Sequence, residues 1–254
     1  LVADGKVEAI AEPGARPADV PVFDLRDGMV WPCFTDMHTH LDKGHIWPRH
    51  PNPDGSFMGA LEAVTVDRDA NWSAADVAAR MDFSLRTAHA HGTRLIRTHL
   101  DAIAPQHRIS FEVFCDMRET WKDRIALQAV ALFPLELMGD EAYFADLLAV
   151  VAASDGLLGG FPRMNPELGP QLDRLFAAAC DHGLDIDLHV DETDDRQART
   201  LEAIAATSLR HGFEGKVTVG HCCSLARQDE DDAKAIVDIV ARAGLSVVSL
   251  PMCN

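Results

Sequence analysis

Short apolar runs alternate with amphipathic stretches along most of the chain. The apolar runs predict β-strands near residues 34–40, 94–99, 125–133, 157–161, 185–189, 217–221 and 246–250. The stretches between them have apolar residues at helical spacing and predict helices at about 73–91, 110–121, 140–153, 170–182, 195–211 and 229–243. Several helices run into a glycine, as at His91-Gly92 and His211-Gly212, which suits the left-handed turn that ends a helix. The pattern therefore predicts seven consecutive strand–helix units.

Repeated strand–helix units indicate the α/β class, because parallel strands need a crossover connection between them. A (β/α)8 barrel fits this alternation best, with seven strands in this chain and the eighth missing from it. A doubly wound open sheet is the alternative. No Gly-x-Gly-x-x-Gly follows a strand and no Gly-x-x-x-x-Gly-Lys occurs, so the nucleotide-binding versions of that sheet are less favoured.

Residues 1–30 differ from the repeating part of the chain. Lys6 to Ile10 alternates polar and apolar residues after a predicted Asp4-Gly5 hairpin turn, and Val20 to Leu25 predicts a second short strand. We expect a small β-layer here, part of a β-sandwich, because so few strands do not form a stable domain alone. The barrel is then expected to occupy residues 31–254 and to be incomplete at its C-terminus.

The segment from Gly44 to Trp72 has several prolines and no clear periodicity. It predicts a long loop, and loops of this length in compact domains are usually lids or binding loops. We expect Trp47 or Phe57 to close over a flat substrate ring, since aromatic faces suit such a ring. The alternative is an ordinary surface loop whose aromatic side chains pack on the rim of the barrel.

Composition limits the partners. A net charge of −17 opposes binding to nucleic acid or to an anionic membrane surface. No apolar run reaches the roughly 18 residues of a membrane span, and the first residues lack the basic start of a secretion signal. We therefore expect a soluble, cytoplasmic protein whose six cysteines are reduced and mostly fill the core. The vicinal pair Cys222-Cys223 is interpreted as packing.

Histidines mark the ends of several predicted strands. His38 and His40 share one face of a strand and can chelate one ion, although a chance pair is about equally expected in a chain with twelve histidines. His189 follows Asp187 on the same strand face and can reach the barrel axis where His38 and His40 converge. Three imidazoles suit Zn²⁺ or Fe²⁺, and a partly ligated ion lowers the pKa of a bound water towards ~7.

Other polar residues follow the same strand ends, which meet at one face of a barrel. Glu192 is placed to carry a proton between a water and a substrate, although it also fits an acidic helix N-terminus stabilised by the helix dipole. Arg163 can pair with a substrate oxygen or can be a solvent-facing charge on the rim. The remaining candidates at these ends are His99, Asp101, Leu135, Glu136, His221 and Asn254.

Five motifs in order resemble the cytosine deaminase branch of the amidohydrolase superfamily. They are Asp36-Met37-His38-Thr39-His40-Leu41-Asp42, Arg97-Thr98-His99-Leu100-Asp101, Asp187-Leu188-His189-Val190-Asp191-Glu192, Val219-Gly220-His221 and Leu250-Pro251-Met252-Cys253-Asn254. The resemblance implies one divalent ion, Zn or Fe, held by His38, His40 and His189. It also implies that Glu192 transfers a proton and that His221 steers the attacking hydroxide.

Two departures from this family shape the functional hypothesis. The family takes a further metal ligand and base from an Asp at the end of the eighth strand, and this chain stops at Asn254. Cytosine deaminases carry Gln after Phe-Pro on the third strand, and here Leu135 follows Phe133-Pro134. Leu135 cannot hydrogen-bond, so we expect cytosine to be a poor substrate unless Glu136 or Arg163 compensates.

The resulting hypothesis is a metal-dependent deaminase that removes an exocyclic amine from a pyrimidine-like or triazine-like heterocycle. The alternatives are an amidohydrolase that cleaves a substituted amine or a cyclic amide with the same mononuclear site, and a catalytically inactive barrel that serves as a binding module. The expected partner is a small heterocyclic substrate, and a homo-oligomer is left open.

Overall fold

The computed structural model describes residues 1–12, 14–15, 17–52 and 54–251. The chain forms two compact units, Leu1–Pro32 and Cys33–Asn254. Asn254 lies outside the described residues. Among the residues that are described, none of the helices is both long enough and apolar enough to cross a bilayer.

The first unit contains a short hairpin. Strands β1 (Val2–Ala3) and β2 (Lys6–Val7) are antiparallel and are joined at Asp4-Gly5, whose φ angles of 50° and 73° are those of the predicted tight turn. The predicted strand from Val20 to Leu25 is wrong, because these residues have no strand assignment and join no ladder. An alternating pattern predicts a strand only where a neighbouring strand is present to pair with it.

The second unit has seven strands among its described residues, and their pairing follows chain order. The ladders β3-β4-β5 and β6-β7-β8-β9 are parallel throughout, and the parallel bridges Val130–Leu157 and Pro134–Phe161 connect β5 to β6. This confirms the α/β class and the incomplete (β/α)8 barrel. The strands are β3 Phe34–Thr39, β4 Thr93–Asp101, β5 Ala126–Leu132, β6 Leu158–Gly160, β7 Ile186–Val190, β8 Val217–His221 and β9 Ser246–Val248.

Helices separate these strands as the periodicity predicts. Six predicted helices are present, and two short 3₁₀ turns, Leu135–Gly139 and Cys223–Arg227, follow β5 and β8. The seventh helix, α1, lies in the segment where a loop was predicted. The helices are α1 Phe57–Asn71, α2 Ala74–Ala90, α3 Gln106–Trp121, α4 Glu141–Ala153, α5 Leu168–His182, α6 Thr200–His211 and α7 Glu230–Arg242.

Helix α1 corrects the prediction of a structureless segment between Gly44 and Trp72. The Ser56 side chain caps it by accepting a hydrogen bond from the Gly59 backbone N–H at 2.9 Å. All residues of α1 are described, and Asp67 alone is buried. A helix without an apolar stripe turned towards the core gives the sequence no clear periodic signal.

The interior of the strand layer is partly polar. The Arg97 guanidinium on β4 pairs with Asp187 on β7 at 2.7 Å and donates to the Thr218 hydroxyl on β8 at 3.3 Å. Contacts between strands so far apart in the pairing order require that the layer curves around a common interior. The main apolar core lies between the strands and the surrounding helices, where Phe111, Phe114 and Phe176 are almost completely buried.

Gly159 on β6 is a packing constraint that can be tested. A Cβ at this position would lie 2.3 Å from the Ala131 carbonyl oxygen and 2.7 Å from the Asp187 carbonyl oxygen, both of them backbone atoms that move only with their strands. We expect Gly159→Ala to destabilise the protein by about 3 kcal/mol, the upper end of ordinary overpacking costs. Urea denaturation measures the change.

Gly169 in α5 supplies the matched control. A Cβ there meets no atom within 4 Å. Gly169→Ala should leave the free energy of unfolding unchanged or raise it by up to ~1 kcal/mol, because alanine lowers the entropy cost of forming a helix. Equal stability of the two alanine variants would contradict the close packing of β5, β6 and β7.

Candidate metal and catalytic site

Three imidazoles meet at one end of the strand layer. His38 and His40 come from the end of β3, and His189 comes from β7. The Nε2 atom of His189 lies 3.1 Å from Nε2 of His38 and 3.3 Å from Nε2 of His40. One nitrogen from each ring lies within 4.8 Å of the others. We call these three residues the His triad.

The geometry of the His triad fits a single divalent ion. Two nitrogens bound at 2.0–2.1 Å to one tetrahedral ion lie roughly 3.3 Å apart, close to the separations between these Nε2 atoms. Burial, with the charges of His221 and Lys43, lowers the pKa of His38 to about 4. Burial also holds the pKa values of His40 and His189 well below their usual range. Neutral imidazole is the form that binds metal, so these rings are ready to do so at neutral pH.

Backbone contacts orient the His triad. Nδ1 of His40 lies 3.1 Å from the His99 carbonyl oxygen, so this nitrogen carries the hydrogen and Nε2 is left to face the other two rings. The His99 ring is fully buried, with its centroid 4.2 Å from that of His38. His99 therefore supports the His triad through its backbone and its packing.

Glu192 and His221 lie beside the His triad. The Glu192 Oε1 atom is 3.4 Å from Nδ1 of His221, and the Glu192 side chain is 28% exposed. Burial raises the pKa of Glu192, while the nearby charges of His221 and Lys43 act in the opposite direction. A raised pKa makes the carboxylate a stronger base, which suits it to take a proton and to return it later.

Asp191 fixes the turn that carries Glu192. Its φ of 47° reverses the chain at the end of β7. Its carboxylate accepts hydrogen bonds from the Thr200 and Leu201 backbone N–H groups, each at 3.0 Å, and from the Thr200 hydroxyl at 2.6 Å. Asp191 thus caps the start of α6 from a distance and places acidic charge at the positive end of the helix dipole.

These residues open onto a cavity of about 700 Å³. His40, His189, Glu192 and His221 form part of its wall. Its apolar wall comes from α1 and from the ends of β5 and β6, and its charged wall lies around Asp101. The further residues that line it include Lys43, Phe57, Leu61, Val64, Arg68, Asp101, Leu132, Pro134, Phe161, Arg163 and Met164.

The structure brings some of the predicted substrate-binding residues to this cavity and leaves others away from it. Arg163 and Phe57 line it. Trp47 is 61% exposed and is not part of the wall. Leu135 is fully buried because the 3₁₀ turn after β5 directs it into the core, and Glu136 on the same turn faces solvent. Neither residue lines the cavity, whose wall includes Leu132 and Pro134 instead.

A charged cluster on the cavity wall was not predicted. The Lys43 ammonium lies 2.9 Å from Oδ1 of Asp101, and the Arg68 guanidinium lies 3.3 Å from Oδ2 of the same carboxylate. The Asp101 backbone N–H donates to the buried Asp42 carboxylate at 2.8 Å. Asp101 was among the strand-end candidates, whereas Asp42 and Lys43, which follow His40, were given no role of their own. Arg68 lies on the unpredicted helix α1, so no sequence signal pointed to it.

The close packing of Gly220 against the His38 ring allows the position of this ring to be tested by mutation. A Cβ on Gly220 would lie 2.9 Å from Cε1 and 3.0 Å from Nδ1 of the His38 ring. We expect Gly220→Ala to displace this ring and to weaken metal binding about 10–100-fold, as a change next to a metal ligand commonly does. A metal titration checks this, with Gly169→Ala as the control. Unchanged affinity would contradict the close packing of the His38 ring, as a ligand, against Gly220.

Comparisons with known proteins agree with this geometry. The sequence profile of the amidohydrolase family matches residues 85–253. A pterin deaminase from Rhizobium rhizogenes is 68% identical over 254 residues, which are all of this chain and 58% of that protein. The chain therefore spans less than two thirds of the length of this relative.

Solved structures show the same fold. A 5-methylcytosine deaminase from Klebsiella pneumoniae, liganded with 5-fluorocytosine, matches 87% of this chain and 54% of its own, with a TM-score of 0.74 and 22% identity. An N-isopropylammelide isopropylaminohydrolase from Burkholderia multivorans matches 86% of this chain and 55% of its own, with a TM-score of 0.71 and 30% identity. The resemblance inferred from the sequence motifs is confirmed, and the profile match over more than half of the residues establishes that the chain belongs to the amidohydrolase family.

Proposed function

We propose that the protein hydrolytically deaminates a flat amino-heterocycle and that pterin, a fused two-ring compound, is its substrate. The observation that carries the proposal is the Glu192–His221 pair beside the His triad on the wall of one cavity. The 68% identical pterin deaminase supports the choice of substrate. A cavity of about 700 Å³ also lies within the range of small-molecule sites.

His38, His40 and His189 would hold one Zn²⁺ or Fe²⁺ ion. Such an ion supplies Lewis-acid activation of a water molecule. A cytoplasmic location stays a prediction from the sequence. The sequence leaves open both the choice between zinc and iron and a homo-oligomeric assembly.

Glu192 and His221 would handle the proton and the water. Glu192 takes a proton from the water at a carboxylate oxygen as the water oxygen bonds to the amine-bearing ring carbon. The same carboxyl group passes this proton to the adjacent ring nitrogen. It then takes the second proton from the hydroxyl on the tetrahedral carbon and gives it to the amine, so that the carbonyl forms, the C–N bond breaks and ammonia leaves. His221, whose Nδ1 lies 3.4 Å from Glu192, orients the water and keeps the carboxylate turned into the cavity.

Ammonia release from a panel of heterocycles tests the proposal. Full-length, metal-replete protein should deaminate pterin with a kcat/KM of about 10⁴ M⁻¹s⁻¹ or more, the ordinary range for a native substrate. Cytosine should be a poor substrate, since Leu135 stands where cytosine deaminases carry a hydrogen-bonding Gln and offers the cavity no such partner. The panel includes an N-alkylated aminotriazine to test hydrolysis of a substituted amine. Absence of product from every compound would overturn the proposal.

A further inference from the structure

Helix α1 turns one face towards the cavity. Phe57, Leu61, Val64 and Arg68 all line it, and their spacing of four, three and four residues places them on one side of a helix. Phe57 is 53% exposed, and Val64 is only partly buried where it packs against the edge of the core, so this face lies largely outside the core. This face carries three apolar side chains followed by the cation Arg68. All four are directed at the space where a substrate would lie.

Arg68 is held in place at the cavity wall. Its side chain is 11% exposed and its guanidinium lies 3.3 Å from Asp101 and 3.4 Å from Asp69. In the part of the chain that the structure describes, these are its only side-chain ion pairs and hydrogen bonds. A guanidinium has five N–H donors, so several are left for a ligand. Asp101 is shared with Lys43, so the charge of this carboxylate is divided between two cations.

The cluster also has a direction. Lys43 lies three residues after His40 and lines the cavity together with His40 and His189. Arg68 lies on the other oxygen of Asp101, one ion pair further along the wall. A ring whose amine-bearing carbon lies at the His triad would therefore meet Arg68 with an edge away from the departing amine.

We propose that Arg68 determines substrate specificity by donating hydrogen bonds to an oxygen of the heterocycle, either a ring carbonyl or its anionic form. This inference rests on the proposed deamination and narrows its substrates to amino-heterocycles that carry such an oxygen. Arginine can only donate hydrogen bonds. An amino group in place of the oxygen would present a second donor to it, and no hydrogen bond would form. Arg163 fits this role less well, because it is exposed on the wall and stacks over Phe161 at 4.9 Å.

A matched pair of ligands tests the inference. Pterin carries a 4-oxo group, and 2,4-diaminopteridine carries an amino group at the same position. Binding of both is measured by fluorescence with metal-free protein, and kcat/KM for ammonia release is measured with metal-replete, full-length protein. Wild type should prefer pterin strongly, since sites built to hydrogen-bond one group reject an analogue that lacks it.

Arg68→Met should abolish most of this preference. Pterin binding is expected to weaken about 10–100-fold, the usual value of hydrogen bonds from a charged group, while binding of the diamino compound changes less than about threefold. Arg68→Lys should keep part of the preference for pterin, because lysine retains the positive charge. The rest should be lost, because lysine lacks the planar pair of N–H donors of the guanidinium. A preference that stays unchanged in Arg68→Met would overturn the inference.

The Arg49→Met variant distinguishes loss of substrate recognition by Arg68 from a general destabilisation of helix α1. Arg49 binds Asp67 of α1 at 2.6 and 2.8 Å and Asp76 of α2 at 2.6 and 2.9 Å, and it does not line the cavity. This variant should lower the thermal midpoint and keep the preference for pterin. Equal loss of preference in Arg49→Met and Arg68→Met would overturn the role of Arg68.

If wild type binds pterin selectively and releases no ammonia, the proposed function fails while the binding preference still supports Arg68.

Discussion

Glu192→Gln is expected to retain the bound metal and to lose about 10²–10⁴ in kcat, the usual contribution of general acid–base catalysis. Glutamine has nearly the same size as glutamate and can still accept a hydrogen bond from His221, which lies 3.4 Å away. It cannot accept and return a proton. The loss should therefore appear in turnover, with KM and metal content close to those of wild type. Steady-state kinetics and elemental analysis measure these quantities.

Glu202→Gln is the matched control for this experiment. Glu202 lies on α6, close to Glu192 in sequence, and its side chain is 47% exposed next to Arg199. It does not line the cavity. The control should behave as wild type in kcat and in KM. If Glu192→Gln turned over substrate at nearly the wild-type rate, Glu192 would not be the proton carrier. It would then be part of an acidic helix N-terminus, the alternative interpretation.

His189→Ala should lower metal affinity more than 100-fold, because even substitutions next to a ligand commonly cost 10–100-fold. His189 is the central member of the His triad, since its Nε2 lies near both other rings. Metal that binds only the folded state stabilises it by about 2.7 kcal/mol at a concentration 100 times its dissociation constant. A chelator should therefore lower the thermal midpoint of wild type and leave that of His189→Ala unchanged.

His182→Ala is the control for a general effect of removing a histidine. His182 is exposed in the last turn of α5, away from the cavity. This variant should bind metal as wild type does and should respond to the chelator in the same way. A metal affinity in His189→Ala equal to that of His182→Ala would show that the ion, if bound, lies elsewhere.

The barrel could be predicted from the sequence because each unit has a strong local signal. Apolar strands such as Val217–His221 are buried on both faces, and helices such as α5 bury a broad apolar stripe. The strand-end residues could be predicted to converge because parallel strands end at one face. His38 and His189 are 151 residues apart in the chain, and the structure brings their Nε2 atoms to 3.1 Å.

The remaining features depend on contacts that leave little trace in the sequence. Leu135 follows a strand end as His221 does, and only the 3₁₀ turn after β5 decides that its side chain enters the core. Helix α1 depends on the buried Asp67, which accepts hydrogen bonds from Arg49, Trp72 and Asn71. Its apolar residues at helical spacing, Phe57, Leu61 and Val64, line the cavity and give only a weak periodic signal in a segment that begins with several prolines.

The attachment of α1 through Asp67 has a consequence for how the protein can diverge. Side chains such as Phe57 and Leu61 face the cavity and take no part in the fully buried core. Substituting residues outside the core usually changes the free energy of unfolding by less than ~0.5 kcal/mol. This surface can therefore be remodelled by mutation while Asp67 and its partners keep the helix in place. Duplicated copies of such a gene could acquire new ring preferences through a few changes in one helix, without first evolving a more stable barrel.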